Sequence, residues 1–154
     1  MLDSKVSKYL NKYSIRGIDL IWNPDNEITS AVVVPAIQEY DNIKTLIQSL
    51  IKNESIYFHN TLFIFVINNH PSSNSKVKED NQRSLNLLKN IVTKSSLDTF
   101  IEGVIESGLK IGYIDASSPG KELPEKEGGV GLARKIGLDA ALNIFNYEEK
   151  GKEK

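Results

Sequence analysis

Residues 31–52, AVVVPAIQEYDNIKTLIQSLIK, decide the fold class. The run from Ala31 to Val34 is continuous and mostly β-branched, which predicts a strand buried on both faces of a parallel sheet and ended by Pro35. From Tyr40 to Lys52 the apolar residues instead follow helical spacing, at Ile43, Leu46, Ile47, Leu50 and Ile51. A buried strand followed by a helix that covers it is the repeating unit of an α/β protein.

The same alternation of strand and helix continues along the chain. Leu62 to Ile67 predicts a second buried strand, Leu85 to Val92 a second amphipathic helix, and Ile111 to Ile114 a third strand. The stretch from Leu97 to Ser107 fits either a helix or a strand, and a final helix begins at Val130. The pattern predicts a three-layer α/β/α fold with a mostly parallel sheet, which binds its ligand at the carboxyl ends of the strands.

The segments outside this alternation set the domain boundaries. Asp3 to Tyr13 predicts a short amphipathic helix, so residues 1–29 are predicted to be an N-terminal helix and an irregular lead-in to the α/β domain. Residues 30–146 form the α/β domain, with a polar loop at Ser72 to Lys78. Residues 147–154 form a charged tail that we expect to fray.

Composition excludes several classes of function. The 154 residues include no cysteine, which rules out disulfides, thiolate catalysis and cysteine-based zinc sites. A formal net charge of -1 gives no electrostatic reason to expect a nucleic-acid partner. No apolar run approaches the roughly 20 residues that span a bilayer, and Met1 to Lys12 lacks the apolar core of a signal peptide. We therefore expect no transmembrane segment and a cytoplasmic location.

Three polar segments follow the predicted strands and should meet at one edge of the sheet: Pro35 to Glu39, Asn68 to His70, and Asp115 to Ser118. The Glu39 carboxylate could accept hydrogen bonds from ribose hydroxyls, or it could simply suit the dipole of the first helical turn. The Asn69 amide offers both a donor and an acceptor to the edge of a nucleobase. Asp115 is either a further site residue or the cap of the next turn.

A glycine-rich segment, Gly128-Gly129-Val130-Gly131, precedes the last helix, which carries Arg134 and Lys135 in its first turns. Glycines at a helix start let backbone N–H groups approach a phosphate, although the segment could also be a plain glycine-rich helix start. It matches neither a P-loop nor a dinucleotide fingerprint. A dinucleotide fingerprint would need glycines after the first strand, where this chain has Pro35.

The order of these motifs resembles the N-terminal, nucleotide-binding part of family 2 glycosyltransferases of the GT-A type. The strand, Pro-Ala, turn and Glu at Val32 to Glu39 carry the resemblance, and Gly128 to Lys135 is similar to a Gly-Gly-Val-Gly…Ala-Arg-Lys segment of a bacterial subgroup. Ile37-Gln38 stands where the family has Tyr-Asn, and Asn68-Asn69-His70 where most members have Asp. The resemblance implies a Rossmann-like half-domain that binds a nucleoside diphosphate sugar, through Pro35, Ala36, Glu39, Asn69, Arg134 and Lys135.

The resemblance also implies what lies outside this sequence. The family's Asp-x-Asp motif, which holds Mg or Mn in the full-length enzyme, does not occur here, so the resemblance implies neither a metal ligand nor a catalytic residue in this chain. We expect a truncated donor-binding portion, inactive alone, of an enzyme that transfers a sugar to an acceptor hydroxyl. The alternative is a non-catalytic α/β nucleotide-binding or protein-interaction module. An open sheet edge would favour self-association.

Overall fold

A computed structural model describes residues 2–15, 17–25, 27–95 and 98–147, so that most of the charged tail lies outside the described residues. The helices are α1 (Ser4–Tyr13), α2 (Tyr40–Leu50), α3 (Ser75–Thr93), α4 (Thr99–Ser107) and α5 (Val130–Ile144). The strands are β1 (Leu20–Ile21), β2 (Ser30–Ala36), β3 (Thr61–Asn68) and β4 (Lys110–Ala116). No helix within the described ranges is long and apolar enough to cross a membrane.

The strands form one sheet in the order β1-β4-β3-β2. Strands β2, β3 and β4 are parallel, and β1 pairs antiparallel with β4. Alternate residues of β3 enter two separate cores: Phe63 and Phe65 pack with α2, α3 and α4, whereas Leu62 and Ile64 pack with α5. Helices therefore cover both faces, which confirms the predicted three-layer α/β/α fold with a mostly parallel sheet.

The prediction for the first strand was wrong in two respects. Strand β2 is an edge of the sheet, and Val32 is 43% exposed, so the strand is not buried on both faces. Nor does Pro35 end it, because Pro35 lies opposite Val66 and the strand continues to Ala36. An edge strand tolerates proline because the missing N–H can face the side that has no neighbouring strand. The buried strand is β3, where every residue from Leu62 to Asn68 is buried.

The predicted polar loop at Ser72 to Lys78 was also wrong, because α3 begins within it, at Ser75. The Asn74 side chain caps this helix by accepting a hydrogen bond from the Val77 backbone N–H at 3.0 Å. The first turns of α3 are mostly polar, so they carry none of the apolar periodicity that marks the rest of the helix.

The remaining differences concern the lead-in and the open stretch near residue 100. Of that stretch, Thr99–Ser107 is a helix, capped by the Asp98 carboxylate, and Leu97 lies outside the described residues. The lead-in is less irregular than predicted, since Leu20–Ile21 adds strand β1 to the sheet. Two residues are too few to show a period in sequence.

Helix α5 approaches the sheet at Gly137. A Cβ atom at this position would lie 2.3 Å from Cγ1 of Val33 and 3.0 Å from Cγ2 of Val66. Any side chain there would push the helix off β2 and β3. This close packing fixes α5 and sets its glycine-rich start at the edge where the parallel strands end.

Candidate functional site

The candidate site is the edge of the sheet where β2, β3 and β4 end, at Ala36, Asn68 and Ala116. Nδ2 of Asn68 donates hydrogen bonds to the carbonyl oxygens of Ala36 and Val66, each at 3.1 Å. These bonds are buried and tie the end of β2 to the end of β3. A rigid edge of this kind can hold a ligand in a fixed orientation.

A second buried amide, Asn81 of α3, orders the turn that follows β2. Its Nδ2 donates to the Asn68 carbonyl and its Oδ1 accepts from the Gln38 backbone N–H, both at 3.0 Å. Asp80 accepts a hydrogen bond from the Tyr40 N–H at 3.1 Å. Gln38 has a left-handed φ of 54°, a conformation that non-glycine residues adopt at a cost and that these bonds hold in place.

Asn81 was not among the predicted site residues. The signal that could have found it is its position on the apolar stripe of α3, since Asn81, Leu85 and Leu88 follow the spacing i, i+4, i+7. A polar residue at a core position of an amphipathic helix needs hydrogen-bond partners, which here are backbone groups at the end of β3 and in the turn after β2.

The structure brings the first three predicted site residues together at this edge. Pro35 is partly buried near the end of β2, and Ala36 is buried with its carbonyl bonded to Asn68. Glu39 directly precedes α2, and its carboxylate accepts a hydrogen bond from the Asn42 side chain. The position of Glu39 is compatible with both of its interpretations, as a ribose ligand and as a helix-start carboxylate.

Asn69 is the least satisfied side chain at the edge. It is 1% exposed, and within the described part of the chain neither its Nδ2 nor its Oδ1 has a hydrogen-bond partner. Its backbone is held, because its N–H donates to Ala116 at 3.3 Å and its carbonyl accepts from Leu123 at 2.9 Å. Most buried polar groups in proteins are paired, so an amide with both atoms unpaired marks a position where a ligand or an ordered water could bind.

The side chain of the next residue, His70, also has an unpaired buried atom. Its Nδ1 is buried without a hydrogen-bond partner among the described residues. Gly128 lies against the imidazole, and a Cβ at Gly128 would lie 2.4 Å from Cε1 of His70. The glycine-rich segment therefore touches the end of β3 directly.

Asp115 acts as the cap of the turn after β4, the second of its two predicted roles. Its Oδ1 accepts hydrogen bonds from the backbone N–H groups of Ser117 at 3.0 Å and Ser118 at 2.9 Å. Burial acts to raise the pKa of Asp115, but hydrogen bonds from Ser118 and Ser117 and the charge of Lys121 outweigh it and hold the pKa below its usual range. Asp115 is therefore ionised at neutral pH and is committed to the turn.

The start of α5 lacks a side-chain cap. Gly129 is the N-cap residue, with a φ of 144°, and the first turn contains no acidic residue. The N–H groups of a first turn that no side chain caps are available to an anion. Arg134 is exposed in the second turn of this helix.

The neighbouring cation, Lys135, has other partners. Its Nζ donates to Oδ2 of Asp139 at 2.5 Å and to the Tyr13 carbonyl at 2.8 Å, which links α5 to the end of α1. Of these two neighbouring cations of α5, Lys135 forms an ion pair, whereas Arg134 has none with the described residues.

A cleft of about 410 Å³ opens between α3 and the segment after β4. Its walls include Lys78, Gln82, Arg83 and Ser117. The guanidinium carbon of Arg83 lies 4.0 Å from the ring centroid of Tyr40, a cation–π distance. Ser117 was predicted to lie at this edge, but Gln82 and Arg83 were not, because the prediction began α3 too late to include its polar face.

The fold and the edge together define an α/β protein whose candidate ligand site lies at the carboxyl ends of three parallel strands. Comparison with known proteins finds no family model, no curated protein and no solved structure that matches the chain. Among the described residues there is no group of three or more His, Asp or Glu side chains that could hold a metal ion.

Proposed function

We propose that this chain binds the nucleoside diphosphate of a sugar-nucleotide donor, as the donor-binding half-domain of a GT-A glycosyltransferase. The observation that carries the proposal is the Asn69 amide, which is 1% exposed and has both polar atoms unpaired at the end of the central strand. A nucleobase with a donor and an acceptor on one edge, such as uracil or guanine, would satisfy both atoms at once. The gain is large because unpaired buried polar groups are costly.

The other parts of the donor have matching groups along the same edge. The Glu39 carboxylate, after the turn that Asn81 orders, is suited to accept hydrogen bonds from ribose hydroxyls. The uncapped start of α5 and the exposed Arg134 are suited to a diphosphate. We leave Lys135 out of the proposed contacts because Asp139 and Tyr13 already occupy its ammonium group.

In this proposal the described residues bind and orient the donor, and none of them acts on the bond to the sugar. The parent enzyme would move the sugar to an acceptor hydroxyl, with the nucleoside diphosphate as leaving group. The Mg or Mn that the resemblance implies would offset charge on that leaving group. The proposal assigns no ligand of this metal to the described residues.

Two substitutions test the proposal through the affinity for UDP and GDP, measured by titration calorimetry. We expect Asn69→Leu to weaken binding at least about 10-fold, because the base loses two hydrogen bonds. Arg134→Ala should weaken it by about 10-fold or more, because a charge-assisted contact is lost. Asn69→Leu should leave the free energy of unfolding unchanged or raise it, since leucine replaces an unpaired buried amide with a similar volume.

The matched controls are Asn86→Leu and Lys89→Ala, both at exposed positions of α3 far from the strand ends. These should change neither affinity nor stability by more than about 0.5 kcal/mol. If Asn69→Leu destabilises the fold and leaves nucleotide affinity unchanged, the amide is structural and the proposal fails.

The open edge of the sheet favours the second candidate, a protein-interaction module. Val32 of β2 is 43% exposed and Ile37 is 44% exposed, and α5 exposes Val130 and Leu138. An exposed edge strand with no charged side chain is a ready template for pairing with another strand. Self-association in sedimentation without affinity for UDP or GDP would favour this candidate over donor binding.

A further inference from the structure

Residues 117–129, here called the cover segment, lie against the unsatisfied end of β3. The backbone N–H of Leu123 donates to the Asn69 carbonyl at 2.9 Å, and the Leu123 side chain is 1% exposed in the core shared with α5. At the other end of the cover segment, Gly128 lies against the His70 ring. The cover segment thus contacts two of the three residues that have unpaired buried side-chain atoms within the described part of the chain; the third, Ser84, lies on α3.

The closed position of the cover segment leaves polar groups unsatisfied. Both amide atoms of Asn69 and Nδ1 of His70 are buried without hydrogen-bond partners among the described residues. A nucleotide could reach these buried atoms only after neighbouring groups, the cover segment among them, had moved. The closed arrangement carries the cost of these unpaired groups, which opening would exchange for the cost of exposing Leu123.

The contacts that hold the outer part of the cover segment are polar and exposed. The Glu125 carboxylate accepts hydrogen bonds from the Ser72 backbone N–H at 2.8 Å and from Ser72 Oγ at 2.7 Å. Nε2 of Gln82 donates to Oγ of Ser118 at 3.0 Å. Exposed hydrogen bonds of this kind contribute little to stability, so the outer part of the cover segment can open locally, and the burial of Leu123 is the main contact that opposes full opening.

We propose that the cover segment is a lid, latched by the Glu125–Ser72 pair, which must open before a nucleoside diphosphate can reach Asn69. The proposal rests on the proposed function for the identity of the ligand, but not for the opening itself. The lid begins after Asp115, which fixes Ser117 and Ser118, and ends at Gly129, whose φ of 144° few other residues adopt. Opening would expose the Asn69 amide and release Leu123 from the core.

The opening is tested by hydrogen exchange in Glu125→Ala, followed residue by residue by NMR. We expect the amide hydrogen of Leu123 to exchange at least about threefold faster, because loss of the latch raises the open population. The amide hydrogen of Ile64, in the centre of β3, reports global unfolding and should keep its rate. The matched control is Glu127→Ala, an exposed acid two positions further along, which should change neither rate.

An unchanged exchange rate of the Leu123 amide in Glu125→Ala would overturn the lid, and so would an equal rise in the exchange rate of Ile64.

The access of the nucleotide to the site is tested separately by the association rate constant of a fluorescent UDP analogue. This rate should rise in Glu125→Ala by the same factor as the Leu123 exchange rate. Faster exchange with an unchanged association rate would show that the site is reached without opening, which overturns the gating. If neither UDP nor GDP binds at all, the proposed function fails, and the exchange rates still decide whether the segment opens.

Discussion

We expect Asn81→Leu to lower the free energy of unfolding by about 2–5 kcal/mol and to remove most of the affinity for UDP and GDP. Leucine fills a similar volume but leaves the Asn68 carbonyl and the Gln38 N–H without their 3.0 Å partners. The cost arises because the carbonyl of buried Asn68 is left unpaired, and because the turn at Gln38 loses a hydrogen bond that holds its left-handed φ. Chemical denaturation measures the stability, and calorimetry measures the affinity.

The control is Asn86→Leu, an identical change at an exposed position of the same helix. It should alter the free energy of unfolding by no more than about 0.5 kcal/mol. Equal effects of the two substitutions would contradict the importance of the Asn81 hydrogen bonds. A destabilised Asn81→Leu variant that keeps wild-type nucleotide affinity would show that the turn after β2 does not contribute to nucleotide binding.

The second large effect is expected at Gly137, where alanine should lower the free energy of unfolding by about 1–3 kcal/mol. The new methyl group would lie 2.3 Å from Cγ1 of Val33, closer than any van der Waals contact allows. Relief requires α5 to move away from the sheet or Val33 to leave its preferred rotamer. Movement of α5 would also displace Arg134 and the uncapped helix start.

The same substitution at Gly131 supplies the control within α5, because no atom lies within 4 Å of a Cβ at that position. Gly131→Ala should raise the free energy of unfolding by up to about 1 kcal/mol, through the better helix propensity of alanine. The two alanine variants should therefore shift the denaturation midpoint in opposite directions. Destabilisation by both variants to the same extent would mean that helix propensity and not close packing governs these glycines.

The parts of the fold that local pattern determines were predictable from sequence. The apolar run Leu62 to Ile67 and the helical stripe of α5 both correspond to observed elements, because their burial follows from spacing within one segment. The position of β2 was not predictable in this way. Its β-branched run looks like that of a central strand, but burial also depends on which strands lie beside it, and that is a property of the whole topology.

The candidate site likewise includes residues that were predictable from local sequence and residues that were not. Glu39 and Asn69 could be assigned to one edge of the sheet because both follow parallel strands. The roles of Asn81 and Glu125 depend on hydrogen bonds to Gln38 and Ser72, which are 43 and 53 positions away in sequence. Such pairs leave no local pattern, and only the folded arrangement reveals them.

The different surroundings of the two cations of α5, Arg134 and Lys135, also depend on the folded arrangement. Arg134 and Lys135 are adjacent and look equivalent beside a glycine-rich helix start. One step along a helix turns the side chain by about 100°, so the two face different neighbours. Lys135 meets Asp139 and the end of α1, an encounter that only the packing of the lead-in creates.

The most direct test of donor binding is an NMR titration of the wild-type chain with UDP and GDP, observing the side-chain NH₂ group of Asn69. We expect its two resonances to shift saturably with at least one of these nucleotides, together with the backbone amides of Gln38 and Gly129. Inorganic pyrophosphate alone should shift the amides at the start of α5 and leave the Asn69 side chain unchanged. Two results would contradict donor binding: millimolar UDP and GDP leave the Asn69 resonances in place, or they shift only residues along the unpaired side of strand β2. Either result would mean that the carboxyl ends of the strands do not form a donor site.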